Sequence, residues 1–314
     1  MRVSSTSPDD APVGTDEVPV DEALVRRLLA ARFPRWADLP LSPIPVPGMD
    51  NATFRLGDDL SVRLPRFPRW AGQVEREHTW LPRLAPHLPL PVPEPVAMGE
   101  PAEGYPFAWS VYRWLAGENA SGADLADPAG AATELAAFVS ALQAVDATGA
   151  PGPRWSNAFR GVPMGDARDS LASEARVLPK IEAMKGLADT DALTAVWEAA
   201  LTAPAWQGPP VWIHGDLGTG NILLADGRLS AVIDFGTLAA GDPAVDLLPA
   251  WNFLPDEVRG VYRAALGVDD ATWARGRGWA LAGSLPVPDD PYYQDPVRAA
   301  AALRVLDQLV ADLG

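Results

Sequence analysis

The stretch Val211-Trp-Ile-His-Gly-Asp-Leu-Gly-Thr-Gly-Asn-Ile-Leu-Leu224, followed by Ala231-Val-Ile-Asp-Phe-Gly236, decides how this chain reads. Val211–Ile213 is a short apolar strand. A polar loop follows, in which Gly215, Gly218 and Gly220 permit tight backbone turns. Ile222–Leu224 and Leu229–Ile233 form a hairpin about Asp226-Gly227, a dipeptide suited to a two-residue turn. The loop before the hairpin and the residue after it therefore meet. That brings Asp216, Asn221 and Asp234 to one place.

Two carboxylates and an amide carbonyl are hard oxygen donors, suited to Mg²⁺ or to a proton and not to zinc. The spacing His-x-Asp-x-x-x-x-Asn is that of a kinase catalytic loop, and Asp-Phe-Gly is its metal-binding partner. Phosphoryl transfer needs such parts because its loose transition state is stabilised by positioning and charge.

Working outward toward the N-terminus, Thr53–Leu56 and Leu60–Leu64 alternate about the turn Gly57-Asp58-Asp59. Leu60, Val62 and Leu64 share one face, and Ser61 and Arg63 share the other. Asp21 to Phe33 is an amphipathic helix with Asp21 as N-cap, and the Pro-rich stretch from Leu41 to Gly48 reads as an extended connector. Val74 to Leu84 is a helix with Val74, Glu77, His78 and Leu81 in one stripe. Phe107 to Trp114 is a further strand. Beyond Gly117 the pattern turns helical, at Ala131–Val145, Ser170–Met184, Asp191–Ala200 and from Ala244 onward. A β-rich first third and a helical remainder with one embedded β island imply an α+β fold in two lobes. The expected divisions are a disordered tail over 1–20, a small lobe over 21–113 and a larger lobe over 114–314. A ligand would sit between the lobes.

The central segment resembles the catalytic core of the aminoglycoside phosphotransferase family, whose relatives include macrolide and other small-molecule kinases with a protein-kinase-like fold. The resemblance implies Asp216 as catalytic base and Asn221 and Asp234 as Mg²⁺ ligands. His214 would support the loop, and Asp246, in Gly-Asp-Pro-Ala-Val-Asp, would brace it. It also implies ATP or GTP as donor. In the small lobe it points to Glu77 as the ion-pairing glutamate and to Arg63 as its cation, where the family more often has lysine. Arginine holds phosphates and a carboxylate bidentately. Gly48-Met-Asp-Asn51 would be the loop over the phosphates, with Asp50 and Asn51 as nucleotide-binding candidates, although it carries one glycine and not a series. Ser110-Val-Tyr-Arg-Trp114 falls where an interlobe hinge belongs. Its backbone would pair with the nucleobase, with Tyr112 and Trp114 lining that pocket. The matching segments run from about Gly48 to Leu248.

Composition bounds the partners. The chain has 314 residues, a formal net charge of −16 and no cysteine. Disulfides and thiolate zinc sites are excluded, and nucleic acid and anionic membrane are not expected partners, because both select a basic face. A cationic small substrate would be attracted. No apolar run approaches the ~18 residues of a membrane helix. The polar N-terminus lacks an apolar signal core, so the cytoplasm is the expected location. After the metal aspartate, Asp256, Glu257, Asp269, Asp270, Asp289, Asp290 and Asp295 with Tyr292 and Tyr293 would suit an amino sugar or a macrolide amine, or serve as ordinary caps and loops. A metabolic kinase for a choline-like, sugar or amino-alcohol substrate shares every motif named so far. A protein kinase does not fit: no activation loop fits between Asp234 and Asp246, and no Ala-Pro-Glu follows. A pseudokinase finds support only in Arg63.

Overall fold

The computed structural model describes residues 17–44, 48, 50–120, 125–166, 170–286 and 295–313. Met49, Asp289, Asp290, Tyr292, Tyr293 and most of the N-terminal tail lie outside them.

The N-terminal part is an antiparallel five-stranded sheet. Its strands are β1 (Leu41–Pro43), β2 (Asn51–Leu56), β3 (Leu60–Pro65), β4 (Pro95–Gly99) and β5 (Trp109–Arg113), in the order β1-β2-β3-β5-β4. The Pro-rich connector is thus partly a strand, pairing Leu41 with Leu56 and Pro43 with Phe54. Proline is tolerated there because β1 is an edge, with one side free of ladder bonds. Helix α1 (Glu22–Arg32) covers one face of the sheet. The Asp21 carboxylate accepts from Leu24 N at 2.7 Å to start it, and Leu24, Val25, Leu28 and Leu29 pack in one core with Phe54, Leu56, Val62, Leu64, Trp109 and Val111.

Strand alternation turns Ser61, Arg63, Ser110 and Tyr112 to the other face, toward helix α2 (Gln73–Leu84). This helix belongs to two neighbourhoods. Its Glu77 and His78 meet the sheet, whereas Leu81 and Leu84 sit in the large C-terminal core with Val139, Trp212 and Val232. Trp80 packs edge-on to Trp212 at 4.8 Å between ring centroids. Each buried leucine contributes about 1.5–3 kcal/mol, so the apolar anchor of α2 lies with the C-terminal lobe even though its sequence falls in the N-terminal one.

The C-terminal part holds helices α3 (Pro128–Ala144), α4 (Glu174–Ala183), α5 (Thr190–Thr202), α6 (Pro249–Asn252), α7 (Asp256–Leu266), α8 (Asp270–Ser284) and α9 (Pro296–Ala311). Embedded in it are strands β6 (Glu118–Asn119), β7 (Val211–Ile213), β8 (Ile222–Ala225), β9 (Arg228–Val232) and β10 (Ala239–Gly241). β8 and β9 form the expected hairpin, closed by Asp226 and Gly227 at φ 51° and 72°. Positive φ at both turn residues matches the twist of the strands. β7 pairs with β10, so the strand entering the glycine-rich loop lies beside the one leaving Asp-Phe-Gly.

Candidate active site

The loop after β7 is held from below by one carboxylate. Asp246, fully buried, accepts from the backbone N–H of His214 and of Gly215, each at 2.7 Å. Burial raises its pKa, and those two backbone donors pull it back. His214, equally buried, accepts from Asp216 N at its Nδ1 (3.2 Å) and meets Ile233 O at its Nε2 (3.0 Å). Acceptance at Nδ1 assigns the remaining ring proton to Nε2, which donates to Ile233. The imidazole therefore ties the loop to the end of the hairpin. Gly215, at φ 83°, turns the chain so that Asp216 emerges from this base.

Asp216 and Asn221 are joined directly. Asn221 Nδ2 donates to Asp216 O at 2.8 Å and to Asp216 Oδ2 at 3.1 Å, which leaves the amide Oδ1 for another partner. Ile233 N donates to Asn221 O at 2.8 Å, seating Asp234 next to the loop. Asp234 itself sits at φ 63°, in the left-handed region that aspartate tolerates better than most residues. The loop and hairpin thus bring Asp216, Asn221 and Asp234 together, as their spacing implies.

The upper half of the site is an ion-pair chain. Arg63 Nη2 lies 3.1 Å from Asp234 Oδ1, and its Nη1 lies 3.5 Å from Glu77 Oε1. Glu77, 1% exposed, also accepts from Phe235 N at 3.1 Å and from the Tyr112 hydroxyl. Burial pushes the Glu77 carboxyl up, with Arg63 opposing. Burial would raise Asp234 too, but the adjacent guanidinium outweighs it and holds Asp234 below the ordinary aspartate range. Asp50, before β2, is pushed up to about 7 by burial and by the negative charges of Asp234 and Asp216, against the pull of Arg63 and Arg69. It thus adds a fourth carboxyl group to the cleft, beside Asp216, Asp234 and Glu77.

Several expected placements change. Ser110 and Tyr112 lie within the sheet, with β3 on one side and β4 on the other. Ser110 Oγ meets His78 Nε2 at 2.6 Å, and Tyr112, 2% exposed, sits behind Glu77. The linker proper starts at Trp114, whose N donates to Asp59 O at 2.8 Å and whose ring lies 4.0 Å from the Arg55 guanidinium. Asn51 is the first residue of β2 and is buried, its Oδ1 accepting from Gln73 Nε2. It faces α2 through that bond. Asp269 and Asp295 cap their own helices, and Asp270 pairs with Arg263. Asp256 and Glu257 remain exposed at the start of α7, just after α6, whose Asn252 Nδ2 donates to Leu217 O at 3.3 Å.

Two arginines carry no motif and were not expected here. Arg76 of α2 donates to Gly236 O at 2.6 Å and to Ser156 O at 3.0 Å, binding the lobes together. Arg160 Nη2 lies 3.2 Å from Asp216 Oδ1.

The arrangement offers few protein ligands to a metal. Among the described residues no three His, Cys, Asp or Glu side chains form a metal cage. The oxygens of Asp234 and Asn221 are nonetheless the donor type that fits Mg²⁺, an ion that completes its shell with water and phosphate oxygens. No described helix is long and apolar enough to cross a membrane.

Comparison with known proteins places this geometry in context. The sequence has no match among curated proteins. Among solved structures, the GDP complex of wild-type aminoglycoside 2'-phosphotransferase-IIIa superposes with a TM-score of 0.67 at 20% identity, covering 94% of this chain and 100% of that one. The apoenzyme of a macrolide 2'-phosphotransferase from Brachybacterium faecium gives 0.56 at 26% identity, over 91% and 98%. The streptomycin–ATP ternary complex of an aminoglycoside 2"-phosphotransferase gives 0.55 at 18% identity, over 85% and 90%. The model of the phosphotransferase enzyme family matches residues 41–279, which span the sheet, the catalytic loop, the hairpin and most of the helical lobe. The chain belongs to that family, and it is a kinase-fold phosphotransferase.

Proposed function

We propose that this protein moves the γ-phosphoryl group of ATP or GTP, with Mg²⁺, to a hydroxyl of a cationic antibiotic of the aminoglycoside type. The observation that carries the reading is the braced loop on which Asp216, Asn221 and Asp234 converge beneath Arg63. Asp216 accepts the hydroxyl proton as the acceptor oxygen attacks the γ-phosphorus, and the bond to the β–γ bridging oxygen breaks to release the diphosphate. Asn221 and Asp234 would hold Mg²⁺, which when bound neutralises charge on the phosphates. Arg63 then exchanges Asp234 for the α- and β-phosphates while keeping Glu77. His214 and Asp246 fix the loop without touching substrate. Trp114, at the linker, borders the nucleobase side. Asp50 sits too close to the other carboxylates to bind a phosphate as an anion, so its nucleotide role requires the protonated form or a shared cation. An acceptor carrying amines suits the net charge of −16 and the exposed Asp256 and Glu257.

A macrolide acceptor is the second reading. It is favoured by the 26% identity with the macrolide enzyme, whereas the TM-score of 0.67 favours the aminoglycoside enzyme. The deciding assay is nucleoside diphosphate release with Mg²⁺ and ATP or GTP across kanamycin, gentamicin, erythromycin and choline, with Asp216→Ala as control. Stimulation by an aminoglycoside, absent in the variant, is expected. Stimulation by erythromycin alone selects the second reading, and stimulation by choline alone selects a metabolic kinase.

A further inference from the structure

Phosphoryl transfer concentrates negative charge, yet the loop from His214 to Asn221 contains no lysine or arginine. The cation beside Asp216 comes from elsewhere in the chain. Arg160 lies in the segment between α3 and α4, 56 residues before Asp216, and its Nη2 stands 3.2 Å from Asp216 Oδ1. The Arg160 side chain is 10% exposed and the Asp216 side chain 47%, so a half-exposed carboxylate is tethered to a buried guanidinium. The buried Nε of Arg160 has no hydrogen-bond partner.

The segment that delivers Arg160 is held in a costly shape. Ala158 and Phe159 both adopt positive φ, 54° and 53°, where neither side chain is at ease. Anchors on both sides keep it there. Asn157, fully buried, accepts from Arg154 N and donates to Gly152 O. Arg76 of α2 grips Ser156 O, and Gly161 O accepts from Asp242 N at 2.9 Å. A Cβ on Gly215 would meet Arg160 Cβ at 2.9 Å, so the loop and the arginine stem are built against each other. Strain sustained by such over-determination is found where a side chain must be placed accurately.

We propose that Arg160 is the positioning residue for Asp216, a role that rests on the reading of Asp216 as the base. Arg160 holds Oδ1 and Asn221 holds Oδ2 at 3.1 Å, fixing the plane of the carboxylate and leaving one lone pair on each oxygen for the acceptor hydroxyl. A base must sit within hydrogen-bond reach of its proton in a set direction, and a misplacement of about 1 Å costs about a hundredfold in rate. Arg160 touches neither donor nor acceptor in this account. Its removal lowers kcat and leaves nucleotide binding alone.

The test uses the full chain with Mg²⁺ and ATP or GTP, and whichever of kanamycin, gentamicin or erythromycin stimulates diphosphate release. Arg160→Met is expected to lower kcat about a hundredfold with the nucleotide KM unchanged. Arg160→Lys, which keeps the charge and the fold, should retain an intermediate rate. Guanidinium ion at millimolar concentration should restore activity to Arg160→Ala, a rescue that a merely structural arginine would not show. In the Asp216→Asn background Arg160→Met should cost nothing further, because the two act as one unit. A wild-type kcat in Arg160→Met, or an equal loss in the Asp216→Asn background, overturns the proposal while the kinase reading stands. Wild-type protein inert with those three acceptors and with choline removes the kinase reading and this proposal with it.

Discussion

The two halves of the cleft are built on different principles. The lower half, from His214 to Asp246, is scaffolded by backbone: Asp246 takes two main-chain N–H groups, His214 bridges two main-chain atoms, and Ile233 N closes on Asn221 O. The upper half is scaffolded by side chains. Arg63 reaches across to Glu77 and Asp234, Tyr112 supports Glu77, and Asp50 leans on charges it shares no bond with. Backbone scaffolds resist substitution of any one functional side chain, whereas a chain of ion pairs passes the loss along. Loss of the half-exposed Asp216 carboxylate should therefore cost rate with little stability, and changes in the upper half should cost both.

The largest expected effect lies in the lower half. Asp216→Ala should lower turnover by 10²–10⁴-fold, the usual weight of a positioned base. Its melting temperature should fall by no more than about 2 °C, the cost of leaving the Arg160 guanidinium unpaired, because the Asp216 side chain is half exposed and the loop hangs from Asp246. Turnover and a thermal melt check the two claims together, and a melting loss of several degrees would break the contrast between the halves.

Arg63→Ala acts in the upper half. It strands Glu77, 1% exposed, without its cation. Removing one partner of a buried pair costs about 3 kcal/mol, softened here because burial already favours protonation of Glu77. The nucleotide KM should rise about tenfold with the loss of a bidentate phosphate donor. Denaturant unfolding and nucleotide-dependent kinetics measure each. An unchanged KM would remove Arg63 from the nucleotide site while leaving its structural role.

The same division explains what the chain discloses before its structure is known. The lower half is local: loop and hairpin lie within residues 211–236, so spacing and turn chemistry suffice to bring Asp216, Asn221 and Asp234 together. Arg63 and Glu77 are 14 residues apart on a strand and a helix, and it is the family resemblance of those two segments, not their spacing, that implies their meeting. Arg160 and Arg76 are out of reach. Arg76 meets Gly236 across 160 residues, and the turn delivering Arg160 uses Ala158 and Phe159 where a glycine would have advertised positive φ. The assignment of α2 to the C-terminal core was likewise hidden, because Leu81 and Leu84 look the same whichever lobe they enter. The place of Ser110 and Tyr112 inside the sheet was hidden for a related reason. An apolar run shows that a strand exists but not where its ladder ends, and the linker begins only at Trp114.

Asp50→Asn reads the charge field of the upper half through pH. The folded-state value of about 7 stands above the ordinary 3.8, so the native protein holds a proton that the unfolded chain releases. Stability is therefore present below that window and is lost as pH rises from about 4 through about 7. Asn removes the ionisation. Relative to wild type, the nucleotide-free variant should gain on the order of 1–2 kcal/mol more at pH 8 than at pH 5, after allowing for partial exposure. Thermal melts at the two pH values read this directly. An equal gain at both would show that neither burial nor the charges of Asp234 and Asp216 raise the Asp50 carboxyl.

Tyr112→Phe is the smallest change and the most discriminating about the upper half. The hydroxyl donates to Glu77, and burial together with that carboxylate's charge holds the phenol far above its ordinary pKa, so it acts as a donor at every accessible pH. Losing one hydrogen bond to a buried carboxylate that keeps Arg63 and Phe235 N should cost about 1–2 kcal/mol of stability. A small rise in nucleotide KM should follow through Glu77 and Arg63, and it should be the same for ATP and GTP. The ring stays buried in both variants and presents no edge to a base. A ratio of ATP to GTP efficiency that moved tenfold would mean that Tyr112 borders the nucleobase after all. The linker would then begin inside β5, and the sheet would have to release part of the β4 or β5 ladder when nucleotide binds.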